Sequence, residues 1–113
     1  MDNAKGDRYF AKRIVEDIHK IEKYAKRVDF SNIGKNEEPL DAINFRLLQI
    51  RENVKRLSSE FLSEHKRIDF ETLISIRNKA THDYENVSFG SYKTFIEKDL
   101  LDIASELEKY IGS

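Results

Sequence analysis

Leu40, Ile43, Leu47, Ile50, Val54, Leu57 and Phe61 follow one another at alternating steps of three and four residues. A half-buried strand would alternate at every second residue. This spacing instead lines apolar side chains along one side of a helix. So regular a seam is what a long helix of an antiparallel bundle shows its neighbours. It predicts a helix from Pro39 to Glu64, with Pro39 suited to the first helical position, where a missing N–H costs nothing. Phe45, Leu48 and Leu62 lie beside the seam and widen the apolar surface, a surplus that suits a second subunit.

The same period recurs on either side. Phe10, Ile14, Ile18, Ile21, Ala25 and Val28 predict a helix from Asp7 to Val28, with Lys, Glu and Asp on its other side. Asp29 to Glu38 reads as a connection, because Ser31, Asn32 and Gly34 are turn formers. Leu73, Ile74, Ile76 and Ala80 predict a shorter helix from Phe70 to His82, followed by a loop over Asn86 to Gly90. Ser91 is a candidate N-cap for a last helix from Tyr92 to Ile111, striped by Tyr92, Ile96, Leu100, Ile103, Leu107 and Tyr110. With one Pro, four Gly and no repeat or low-complexity tract, the chain reads as a single all-α domain over residues 1–113. The short connections predict an antiparallel up-and-down bundle of four to five helices.

Composition narrows the function. Charged residues are 36% of the chain and hydrophobic ones 39%, which fits a small helical protein with a solvated surface and excludes a disordered chain. The absence of cysteine excludes disulfide scaffolds, thiolate metal sites and cysteine nucleophiles. No apolar run nears the roughly 18 residues that span a bilayer, and MDNAKGDRYF has no apolar signal core, so the expectation is a cytoplasmic protein with no membrane partner. The net charge of −1 supplies no overall pull on nucleic acid. Any RNA contact needs a local basic patch. Arg46, Arg51, Lys55 and Lys79 are candidates for it, although a solvated helix face with i,i+4 pairs such as Glu52 with Arg56 explains each taken singly. His19 reads as a surface residue, and His65 as a helix-end residue complementing the helix dipole.

The run Ile76-Arg77-Asn78-Lys79-Ala80-Thr81-His82-Asp83-Tyr84-Glu85-Asn86-Val87 stands apart. At about 100° per residue, Arg77, Thr81 and Tyr84 share one helix face, and Asn78 and His82 the next. The cluster supplies a cation, an imidazole and a phenol. Metal-free phosphodiester cleavage can use these parts. The ribose 2′-hydroxyl loses a proton as the leaving 5′-oxygen gains one, which suits histidine, and a fixed arginine meets the charge growing on phosphorus. One Arg and one His make half of an acid–base site, which a two-fold dimer would double. From spacing alone, a structural or simple surface role stays open.

Arg77-x(4)-His82-x-Tyr84 resembles the R-x(4)-H-x-Y signature of HepT-type toxins of the HEPN superfamily. The likeness runs through nearly the whole chain, in the order of helices and in Asp29-Phe30, Val54-Lys55-Arg56-Leu57-Ser58, Ile76-Arg77-Asn78 and the Tyr-Glu-Asn-Val extension. The resemblance implies the toxin of a type VII toxin–antitoxin pair. It would be a homodimeric endoribonuclease, needing no metal or other cofactor, whose two motifs meet in a cleft. RNA, with no role for DNA, is the implied substrate. The implied antitoxin is a minimal nucleotidyltransferase of the MntA type, which moves AMP from ATP to the motif tyrosine. Carried onto this chain, Arg77 and His82 are the cleavage pair and Tyr84 the modified residue, with Asn78 and Asp83 as supporting positions. A non-catalytic module that holds a nucleotide or substrate for the nucleotidyltransferase is the alternative, and a structural dimer with an inactive motif a third.

Overall fold

Ile14, Ile18 and Ile21 are fully buried along the first helix, and the chain is organised around them. The computed structural model describes residues 6–29, 37–71, 73 and 93–112. Helix α1 spans Gly6–Ala25, α2 spans Glu37–Lys55 and α3 spans Ser59–Glu64. A π-helical turn, Phe95–Asp99, leads directly into α4, Leu100–Gly112. No strand occurs among the described residues, so the all-α reading holds. Nor is any described helix long and apolar enough to cross a membrane.

Helix α1 packs against both α2 and α4. Its first turn meets the far end of α2, where Asp7 accepts hydrogen bonds from the Ser58 amide at 2.8 Å and hydroxyl at 2.7 Å. Its middle meets the middle of α2 through Asp17 and Arg46. These pairs make α1 and α2 antiparallel. Against α4 the register also runs backwards: Ala25 and Lys26 line a cavity with Ile96 and Glu97, while His19 reaches Glu108. One continuous core results, in which Ile43, Leu47, Ile50, Ile96, Leu100 and Leu107 are also fully buried. Each such side chain contributes roughly 1.5–3 kcal/mol of apolar burial.

Several boundaries differ from those the periodicity predicts. Helix α1 ends at Ala25, not Val28, and the chain closes with tighter bonds from the Arg27 and Val28 amides to the Tyr24 and Ala25 carbonyls. The long second helix is two helices. It stops at Lys55, and Ser58 caps α3 by accepting from the Phe61 amide at 3.0 Å. Such a cap contributes about 1 kcal/mol. Pro39 sits in the first turn of a helix that already begins at Glu37, where its missing N–H still breaks no intrahelical bond. In the last helix the Leu100 amide bonds the Phe95 carbonyl five residues back. This wide turn lets Phe95, Ile96 and Leu100 all face the core, and beyond it Ala104 is buried while the expected Ile103 packs against the core half-buried. Phe70, Glu71 and Leu73 are helical, with Leu73 fully buried, as the predicted third helix requires. The rest of that helix, the loop at 86–90, Ser91 and residues 30–36 of the first connection lie outside the described residues.

The α1–α4 contact carries a titrating bridge. His19, whose side chain is 47% exposed, lies 3.3 Å from both Glu22 and Glu108. Desolvation works against the charged ring, but bonds and charges from Glu108 and Glu22 outweigh it and raise the pKa. The native state therefore holds this proton more tightly than the unfolded chain. The stabilisation is fully present below the ordinary value of 6.5 and is lost as pH rises through the folded-state value. The melting temperature of the wild type is expected to exceed that of His19→Gln at pH 6, with the gap narrowing by pH 8. A gap that does not change with pH would show that the bridge contributes nothing ionic.

Candidate functional site

Position 17 falls inside the apolar stripe of α1, three residues after Ile14 and four before Ile21. Asp17 is accordingly only 4% exposed, a correction to the expectation that the acids of this helix lie on its other side. Its Oδ1 accepts from Arg46 at 3.2 Å, while Oδ2 is buried without a hydrogen-bond partner. Burial raises the pKa of Asp17 against the opposing pull of Arg46, Lys20 and Arg13. An ionised carboxylate here costs stability and holds its cation firmly.

The candidate basic residues of α2 are placed as follows. Arg46 leans across the α1–α2 seam to Asp17, with its guanidinium 5.3 Å from the ring of Phe45. Arg51 stands five residues on, about 140° around the helix, with Nε buried and without a hydrogen-bond partner. Lys55 is half-exposed and pairs with Glu52 at 3.7 Å. That pairing replaces the expected one between Glu52 and Arg56, because Arg56 turns over the ring of Phe10 at 5.9 Å. Arg46 and Lys55 are thus each matched by a carboxylate. Arg77, Asn78, Lys79, His82, Asp83 and Tyr84 lie outside the described residues.

Arg13, which the sequence does not single out, and Arg56, expected only as the partner of Glu52, stand in a groove between α1 and α2. The groove encloses about 320 Å³ and is lined by Tyr9, Phe10, Arg13, Gln49, Glu52, Asn53 and Arg56. Arg13 stacks over Tyr9 at 5.9 Å and donates to its hydroxyl at 3.4 Å. Tyr9 and Phe10 meet edge to face at 5.2 Å. Arg56, Phe10, Tyr9 and Arg13 therefore form one chain of contacts, cation–ring at each end and edge to face in the middle. The signal lies in the antiparallel register, which brings the first turns of α1 to the last turns of α2.

Away from the groove, His65 is occupied structurally. Its Nδ1–H donates to the Phe61 carbonyl at 2.9 Å, and its ring stacks on Phe61 at 4.0 Å. A family model described as "Ribonuclease HepT-like" matches residues 14–110. The chain belongs to this family. No curated protein and no solved structure matches it. The HepT-like span contains α2 and α3, most of α1 and of α4, and the stretch that carries Arg77, His82 and Tyr84. Half-exposed Phe45, at 52%, is the largest apolar side chain that the described part of this HepT-like domain leaves to solvent.

Proposed function

We propose that the protein is the toxin of a type VII toxin–antitoxin pair, an endoribonuclease that cuts RNA without a metal ion and is silenced by AMP transfer to Tyr84. The observation that carries this reading is Arg77-x(4)-His82-x-Tyr84 inside the span matched by the HepT-like ribonuclease family. His82 takes the proton of the ribose 2′-hydroxyl as that oxygen attacks phosphorus. The bond to the 5′-oxygen breaks, the leaving oxygen takes a proton, and a cyclic phosphate remains. Arg77 meets the extra charge of the five-coordinate phosphorus with paired N–H donors. A homodimer supplies a second histidine, so that one imidazole accepts while the other donates. The exposure of Phe45 beside the α2 seam supports such a partner surface. Asn78 and Asp83 flank the pair as supporting positions.

The silencing partner is a minimal nucleotidyltransferase. The Tyr84 oxygen attacks the α-phosphorus of ATP, its proton is lost, and pyrophosphate leaves. The added AMP places bulk and negative charge beside the cleft and repels RNA phosphates. The test is RNA incubated with purified protein in EDTA. Wild type is expected to cut and His82→Ala is not; intact RNA from both sinks the reading. With the partner enzyme and ATP, wild type gains the mass of an AMP group and stops cutting, whereas Tyr84→Phe keeps its mass.

A further inference from the structure

Net charge −1 leaves this domain dependent on a local cationic surface to hold RNA. Among the described residues that surface is not Arg46 or Lys55, which Asp17 and Glu52 match. Arg13 and Arg56 are different. Both are exposed, and neither has a carboxylate within ion-pair distance among the described residues. Each turns its guanidinium over an aromatic ring, Arg13 on Tyr9 and Arg56 on Phe10. Stacking uses the face of a guanidinium and leaves most of its in-plane N–H donors for another acceptor. Gln49 and Asn53 add amides to the lining, and Glu52, the one carboxylate there, already pairs with Lys55. The volume, about 320 Å³, is at the small end of ligand clefts.

We propose that the α1–α2 groove is an RNA-binding exosite, in which Arg13 and Arg56 hold phosphodiesters of the single-stranded substrate other than the one cleaved. The aromatic rings orient the two cations, and the amides meet sugar or base edges. Arginine, aromatic rings and amides together are the side-chain set that grips single strands without strict sequence choice. A single strand is the expected ligand, because its backbone can adapt to the two cations and its bases are free to meet the rings and amides, whereas duplex RNA holds its bases stacked inside. The inference rests on the ribonuclease reading for the identity of the strand, but its test does not depend on cleavage.

The experiment uses a fluorescent single-stranded RNA with 2′-O-methyl groups throughout, which this chemistry cannot cut, and fluorescence anisotropy with the full chain. Wild type is expected to bind with an affinity that falls as salt rises. Arg13→Gln/Arg56→Gln is expected to lose about tenfold or more in affinity. Its salt slope should fall by about 1.4, at roughly 0.7 per phosphate released from a single strand. Lys98→Ala/Lys109→Ala removes the same charge from exposed positions on the last helix and should change affinity by less than about twofold. Both pairs are exposed, so both double variants should melt near wild type. Arg13→Lys/Arg56→Lys keeps the charge and gives a second variant if the glutamines unfold the chain; it should bind with intermediate affinity. Wild-type affinity in the glutamine variant, a loss matched by the lysine control, or no binding by wild type overturns the proposal. So does a halved molar mass of the glutamine variant by light scattering, which would make the groove a subunit contact. Cleavage of unmodified RNA, followed in parallel, reports on the ribonuclease reading separately.

Discussion

His82→Ala is expected to slow RNA cleavage by roughly 10²–10⁴-fold, the range over which a positioned general acid or base contributes. The loss should appear in kcat with KM nearly unchanged, since an imidazole in the proposed role acts on protons in flight and adds little to ground-state binding. Arg77→Ala should cost roughly 10²–10³-fold by leaving the charge on phosphorus unmet. Arg77→Lys should recover only part of this, because an ammonium restores the charge but not the planar, bidentate contact. The double variant should be little worse than the poorer single one, as residues of one catalytic unit are not additive. Gel analysis of single-turnover cleavage in EDTA, with circular dichroism to show that each variant is folded, reads these effects. Multiplying losses would mean that Arg77 and His82 act independently, against a shared site.

The seam through Leu40, Leu47 and Val54 and the stripe through Ile14, Ile18 and Ile21 show why helices and core were legible in the sequence: burial on one side imposes a period of three and four. The break between α2 and α3 was not legible, because Val54, Leu57 and Phe61 stay buried on both sides of it and the apolar phase never falters. What ends the helix is Ser58, tied at once to Phe61 and to distant Asp7, and the second tie has no local signature. The π-turn that joins Phe95 to Leu100 was not legible either, because buried residues five apart also occur in a regular helix, as Phe10 and Val15 do in α1. Asp17 misled for a simpler reason: its charge suggested the solvent side, while its position lies inside the stripe. Of the candidate site, the motif was read by resemblance. Arg13 over Tyr9 is an i,i+4 pair within α1, but the antiparallel register is what brings Arg56 over Phe10 and sets the two unmatched cations in one groove.

Phe61→Ala is expected to be the most damaging single change to the fold, at about 3–5 kcal/mol. Phe61 is 3% exposed and is the point where four rings converge. It stacks on His65 at 4.0 Å, meets Tyr110 edge to face at 4.9 Å and lies 6.4 Å from Phe70. Alanine removes the apolar area and leaves a cavity beneath α3, a helix of only six residues that cannot persist without tertiary packing. A domain of this size holds about 5–15 kcal/mol in all, so the variant should melt far below wild type or fail to fold. Phe61→Leu keeps most of the volume but loses the ring contacts with His65 and Tyr110. Its cost should therefore stay below that of alanine by more than about 1 kcal/mol. Phe61 also packs toward Phe70, which lies seven residues before Arg77 in sequence. A partly unfolded Phe61→Ala should thus lose RNA cleavage on warming before Phe61→Leu does. Urea denaturation of the two variants beside wild type reads the ranking. Equal stability of alanine and leucine would mean that the rings around Phe61 add nothing beyond the space they fill.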